Sequence, residues 1–365
     1  MMIDTYTFSR ISASNDKKIN EIQRFLSNSG LRIDYDVEHF IVAYHDNDII
    51  GCGAIAGNVF KSIALSPMLR GTGFLLKLLT ELINLAYDMG RFELFLFTKP
   101  ENEVMFKQAG FFPIVGVKNK MVLMENSHNR LVKYCQKLSS QRQEGSKIGS
   151  LVINANPFTL GHQYLVEQVA KECDWLHLFV VKEDKSYFSY HDRYNMIKQG
   201  CGHVDNVTVH AGSDYLISRS TFPSYFIKDS GVVDLCHAAI DLQLFRSYIA
   251  PALGITHRFV GSEPFCTVTN NYNQQMAYWF SLEPFVAPPI VFTELKRIEH
   301  NQQPISASQV RALLKANDLD AAKALVPTTS YPYLANKQEL ETQHLQSLNA
   351  QYTGLIVPAI TNFSI

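Results

Sequence analysis

A chain of 365 residues is too long for one ordinary core and predicts two domains, for which 46% hydrophobic residues are ample. Its formal net charge of −1, with an isoelectric point near 6.9, excludes a general attraction to nucleic acid or anionic membrane and leaves binding to local sites. The six cysteines (Cys52, Cys135, Cys173, Cys201, Cys236, Cys266) form no C-x-x-C pair, the polar N-terminus lacks an export core, and no apolar run reaches the roughly 18 residues of a membrane span; a globular cytoplasmic protein with reduced thiols is expected.

Residues 18–26 predict a first helix, with Ile19, Ile22, Phe25 and Leu26 on one stripe and Gly30 past its end. Strand-like runs at 40–44 and 49–55 are joined by Asp46-Asn47-Asp48, which reads as a hairpin, and a further strand at 59–65 is stopped by Pro67. Arg70-Gly71-Thr72-Gly73 then leads into an apolar helix at 74–87, a strand at 93–98 and the run Phe106-Lys107-Gln108-Ala109-Gly110-Phe111. This order resembles the GNAT acetyltransferase fold over about residues 1–125, where R/Q-x-x-G-x-G/A cradles the coenzyme A pyrophosphate. Arg70 and Gly73 hold their places, but Leu75 replaces the final small residue, so the segment either keeps a weakened pantetheine site or only caps a core helix.

Residues 126–147 are polar and charged and read as a connecting helix whose basic residues form a solvated face. The next stretch, IGSLVINANPFTLGHQYL at 148–165, is a strand stopped by Asn156 and Pro157, a tight loop and a helix with Leu165, Val166, Val169 and Ala170 on one face. Thr159, Gly161 and His162 lie where the first amides of that helix have no partners, which makes a ready anion site. A strand at 175–181 ends in Lys182, either a plain surface lysine or, at a strand exit, a phosphate contact. A helix at 192–198 and a strand at 207–210 follow, and then a hydroxyl- and aromatic-rich segment at 217–226, which either binds a small substrate through Arg219 and Thr221 or packs as a loop. The run 259–265 is another strand exit, with Gly261 and Glu263, and 289–295 is a fifth strand. In Ile305-Ser306-Ala307-Ser308-Gln309-Val310-Arg311, a serine can cap a helix that carries Arg311 one turn inside it. Strands alternating with helices predict a Rossmann-like, doubly wound parallel sheet, and a polar, Gln-rich helix from 336 onward extends it.

The two motifs, T-x-G-H and I-S-x-S-x-x-R, together resemble the nucleotidylyltransferase superfamily. The resemblance implies that His162 donates to the alpha-phosphate of ATP, that Lys182 and Arg311 meet the phosphates, and that amides after Ser306 and Ser308 hold the beta and gamma groups. Asn156, Phe158, Thr159, Gly161, Gly261 and Glu263 complete the implied ATP site; Mg2+ is expected with ATP, and no carboxylate cluster identifies ligands for it.

A GNAT-like domain at 1–125, a linker helix at 126–147, a nucleotidylyltransferase domain at 148–335 and an extension at 336–365 is an order that, with NANPFTLGH, LHLFVVKED, TFPSYFIKD, THRFVGSEPF and PISASQVR, closely resembles citrate lyase ligase. That family adenylates acetate with ATP and passes the acetyl group to the prosthetic-group thiol of the acyl carrier subunit of citrate lyase. Arg70, Gly71 and Gly73 would then be docking residues for the prosthetic arm. Two other readings stay open: a nucleotidylyltransferase of cofactor synthesis that joins AMP to a phosphate ester, and an acetyltransferase with an accessory nucleotide-binding domain. A non-catalytic scaffold is disfavoured because both phosphate motifs are intact.

Overall fold

The computed structural model describes residues 5–182, 186–216, 222, 230–262, 267–296, 298–300 and 303–353. Arg219, Thr221 and Glu263 lie outside the described residues, as does Cys266. The chain forms two compact units, neither continuous in sequence: Met1–Gln143 with Asp214–Ile255 and Glu263–Phe292, and Glu144–Ser213 with Thr256–Ser262 and Thr293–Ile365.

In chain order the first unit begins with β1 (Thr7–Ser12), α1 (Asp16–Asn28), β2 (His39–His45), β3 (Asp48–Ala56), β4 (Val59–Leu65), α2 (Phe74–Asp88), β5 (Phe95–Thr98), α3 (Glu103–Gln108), β6 (Phe112–Val117), β7 (Met121–Glu125) and α4 (Arg130–Ser139). Asp46 and Asn47 take positive φ (46° and 69°), as a tight hairpin turn with the right twist requires, and so set the β2–β3 register. The sheet runs β1-β2-β3-β4-β5-β7-β6. Successive strand residues face opposite sides: Phe40 and Val42 pack under Ile22 and Leu26 of α1, while Ile41 packs under Leu78, Leu79 and Leu82 of α2. The parallel pair β4–β5 is in register at Val59–Phe95 and Phe60–Leu96. Lys61 is buried between Asp34 and Asp36, with Nζ 3.2 Å and 2.7 Å from their carboxylates, which anchors the chain before β2 to the middle of β4.

Residues distant in sequence complete this unit. Tyr215 donates to the buried Glu125 at 2.7 Å and meets Phe95 edge-on, while Arg130 closes on the same carboxylate at 2.9 Å. After the second unit has begun, the chain returns through α7 (Ser230–Leu244), a π-helical turn (Phe245–Ile249), α8 (Ala250–Leu253) and α9 (Thr267–Ser281). Arg246, fully buried, spends its donors on the carbonyls of Trp279, Leu282, Ala287 and Pro288 and on Glu283, which fixes the turn after α9. In α7 His237 and Asp241 are buried beside Cys236, Ala238, Ala239 and Ile240, so no polar face marks it by periodicity.

The second unit contains β8 (Ile148–Ile153), α5 (Leu160–Glu172), β9 (Trp175–Val180), α6 (Tyr190–Gly200), β10 (Val207–His210), β11 (His257–Gly261), β12 (Val291–Leu295), β13 (Glu299–His300), β14 (Gln303–Pro304), α10 (Ala307–Lys315), α11 (Leu319–Lys323) and α12 (Tyr331–Thr353), with β12 beginning at the boundary. Its sheet runs β10-β9-β8-β11-β12, and β8 pairs in parallel with both β9 and β11. The strand order therefore reverses at β8, where a doubly wound sheet opens its ligand crevice. The core is built on Leu151, Ile153, Leu176, Leu178 and Val180 under Val166, Val169 and Val310. A buried histidine pair lies on the opposite face of the sheet: His177 Nδ1 lies 2.8 Å from His210 Nε2, and desolvation lowers the pKa of His177 to about 3 and that of His210 to about 4. No helix among the described residues is long and apolar enough to cross a membrane.

Candidate active site

Beyond Ile153 the chain leaves the sheet through exposed Asn154 and enters a loop whose middle is buried. Phe158 is fully buried and packs against Gly200, where a Cβ would stand 2.5 Å from its ring; its side chain belongs to the core beneath the loop. Its ring stacks under His162, 5.8 Å away and 21° from parallel. Thr159 caps α5, and the cap is reciprocal: the hydroxyl accepts from the His162 N–H at 3.4 Å, and the Thr159 N–H donates to His162 Nδ1 at 3.1 Å. A backbone N–H only donates, so Nδ1 accepts and the neutral ring carries its proton on Nε2. The cap thus fixes both the orientation of the ring and the atom from which it can donate.

The second motif meets the first at this helix start. Gly161 has no room for a side chain, since a Cβ would lie 2.8 Å from the carbonyl oxygen of Ile305. Ser306, the next residue, caps α10 by accepting from the Gln309 N–H at 3.2 Å. Arg311, one turn in, donates to the Asn156 carbonyl at 2.5 Å and to the exposed Ser308 hydroxyl at 3.0 Å. Burial lowers the Arg311 pKa from 12.5, and the group remains a cation at neutral pH. Asn156 itself uses its side-chain oxygen to accept from the Phe188 N–H at 3.0 Å. Two helix N-termini, an imidazole N–H and a guanidinium therefore lie in one neighbourhood, a set suited to a polyphosphate.

The adjacent strand exits add to it. Lys182 is exposed just past β9, and Gly212 leaves no space beside it, with a Cβ 2.8 Å from that of Lys182. Gly261 ends β11, on the other side of β8, and is half-buried; the next amide, of Ser262, donates to Leu295 at 2.7 Å. Arg70, Gly71 and Gly73 belong to the first unit, where they form an exposed loop. Gly71 and Gly73 have φ of 77° and 79° with open space where a Cβ would be. Leu75 is half-buried and packs against the core under α2.

Sequence reading missed Arg193 and the histidine pair. Arg193 falls in the same helical repeat as the buried Met196 and Ile197, three and four residues on, so an inward-facing arginine was visible as a charge on an apolar stripe. His177 and His210 carried no such signal, because their proximity depends on strand order.

A family model described as the citrate lyase ligase C-terminal domain matches residues 148–334. Over 340 residues the chain is 55% identical to the citrate (pro-3S)-lyase ligase of Klebsiella pneumoniae, covering 93% of this chain and 99% of that one. It is 51% identical over 336 residues to the protein of the same name from Escherichia coli strain K12, covering 92% and 96%. Among solved structures, Escherichia coli ElaA is similar over 34% of this chain and 100% of its own, at 12% identity and a TM-score of 0.32. Identity of this order over nearly the full length of both proteins, with a matching family model across the second sheet, shows that the chain belongs to the citrate lyase ligase family.

Proposed function

We propose that this ligase adenylates acetate with ATP and then acetylates the thiol of the phosphoribosyl-dephospho-coenzyme A group on the acyl carrier subunit of citrate lyase, which switches the lyase on. In the first step a carboxylate oxygen of acetate attacks the alpha-phosphorus, a P–O bond forms and pyrophosphate leaves. In the second, the prosthetic thiol attacks the acetyl carbonyl, loses its proton and expels AMP. The first step needs alignment and charge neutralisation more than covalent help from the protein. In this reading His162 Nε2–H donates to an alpha-phosphate oxygen, and Lys182 and Arg311 neutralise the phosphates. The amides that follow Ser306 receive the beta and gamma groups, with Ser308 at the same helix start. Asn156, Thr159, Gly161 and Gly261 shape the backbone around the nucleotide, and Phe158 supports the His162 ring from below. Mg2+ would accompany ATP and offset charge on its phosphates, and no cluster among the described residues identifies protein ligands for it.

In the same reading adenylation belongs to 148–335, of which 214–255 and 263–292 pack into the first unit, with a linker at 126–147, an extension at 336–365 and a GNAT-like part at 1–125 that receives the prosthetic arm through Arg70, Gly71 and Gly73. The observation that carries the proposal is the reciprocal Thr159–His162 cap, which leaves the imidazole proton on Nε2. The test is exchange of labelled pyrophosphate into ATP. Acetate should stimulate it; stimulation by a phosphate ester in place of acetate would make the chain an AMP-transferring enzyme of cofactor synthesis.

A further inference from the structure

The loop that carries His162 is held from beneath by a residue that reaches no surface. Arg193, in the first turn of α6, is 0% exposed. Its Nη1 donates to the carbonyl of Asn154 at 2.7 Å, to the Oδ1 of the same residue at 2.7 Å and to the carbonyl of Val181 at 3.1 Å. Asn154 is the first residue past β8, and Val181 the first past β9. The guanidinium thus ties together the exits of the two neighbouring strands, one leading to the His162 cap and the other to Lys182.

Two details make this more than generic packing. Each strand exit gives a carbonyl to the guanidinium, and a carbonyl shielded from water needs a donor, so Arg193 fixes where both point. Asn154 also presents both its backbone and its side-chain oxygen to the same nitrogen, which sets the direction in which the loop leaves the strand. The planar group packs with its carbon 5.7 Å from the centre of the Tyr190 ring, and Tyr190 in turn accepts the Gly212 N–H at 2.6 Å beside Lys182. A lysine can supply the charge and the donors there, but not the planar group that packs on the Tyr190 ring.

We propose that Arg193 is a positioning residue for adenylation, which acts by clamping Asn154 to the end of β9 and so sets the placement and tautomer of His162. It touches neither ATP nor acetate. The inference rests on the role of His162 proposed above.

The test is a set of double-mutant cycles in the full chain, read by acetate-dependent pyrophosphate exchange and by imidazole-nitrogen NMR of His162. A misplaced donor typically costs up to about 10²-fold in rate, so Arg193→Gln should lower kcat by about 30-fold and Arg193→Lys by less, with the KM for ATP changed under threefold. Because a buried arginine can be needed for folding, Asn154→Ala provides a surface variant, expected to lower kcat about fivefold by removing one acceptor. In a His162→Ala background each further loss should shrink below about twofold, since the group being positioned is gone. The spectrum should show the Nε2–H tautomer in the wild type and a mixture of tautomers in Asn154→Ala and Arg193→Lys. Losses that multiply unchanged through the His162→Ala background, or a His162 spectrum unaltered by these variants, would reduce Arg193 to a structural residue. Wild-type exchange without acetate dependence would instead remove the reading on which the proposal rests, and the spectrum would still decide whether Arg193 sets the ring.

Discussion

Two glycine-bearing loops, each leading into a helix, behave differently in this protein. The loop before α5 is overdetermined: Thr159 and His162 cap each other, Arg311 and Phe188 hold Asn156, Arg193 holds Asn154, and Gly161 is pressed against Ile305. The loop before α2 is exposed from Arg70 to Gly73, and its glycines have positive φ and open space where a Cβ would be. One glycine is required by a neighbour and the other by a dihedral angle. In the proposed reaction the first loop would present fixed donors, which need no rearrangement as charge develops, and the second would meet the prosthetic arm from an exposed position.

The sharpest way to break that comparison is to remove the donor in the rigid loop. His162→Ala should slow acetate-dependent pyrophosphate exchange by roughly 10²–10³, the usual loss for one transition-state donor, with a near-native melting temperature. Arg70→Ala should leave exchange unchanged and slow acetyl transfer to the carrier by about tenfold, the scale of one lost ground-state contact. Equal exchange rates in His162→Ala and the wild type would assign the imidazole to structure, and full carrier acetylation by Arg70→Ala would remove the arm-docking role of the exposed loop.

Acid should find the second unit through its buried histidines. His177 and His210 titrate at about 3 and about 4 in the fold against an ordinary value of 6.5, so they are neutral in the native state at neutral pH. The unfolded chain binds more protons as pH falls below 6.5, and stability present above that value is lost toward pH 4. The slope approaches about 1.4 kcal/mol per pH unit for each imidazole. Hydrogen exchange of β9 and β10 between pH 7 and pH 5 measures it; protection that stays constant over that range would show that the pair is not held neutral by burial.

The smallest and most discriminating effects come from the glycines. Gly161→Ala should cost about 1–3 kcal/mol by overpacking against the Ile305 carbonyl and should lower exchange, because the displaced backbone bears the His162 cap. Gly73→Ala should cost about 1–2 kcal/mol for a left-handed alanine and leave exchange intact. Paired thermal melts and exchange assays check both; similar losses of exchange in the two variants would erase the distinction between the loops.

By itself the sequence determined the local elements and the two phosphate motifs. The run 159–162 and the serines at 306 and 308 announce helix starts, Asp46-Asn47-Asp48 a hairpin and Pro67 a strand end, because capping and turn chemistry act within a few residues; the structure assigns the caps to Thr159 and Ser306. The parallel sheet was legible from its alternation of apolar runs and helices. What only the tertiary structure decided lies between residues far apart in the chain. The return of α7 and α9 to the first unit is sealed by Tyr215 on Glu125 and by Arg246 on the turn after α9. The pairing of His177 with His210 required β9 and β10 to be neighbours, and the clamp of Arg193 on Asn154 and Val181 required β8 beside β9. Periodicity tells a residue which face it occupies, but burial of a charge or an imidazole is decided by the partners that long-range packing brings to it.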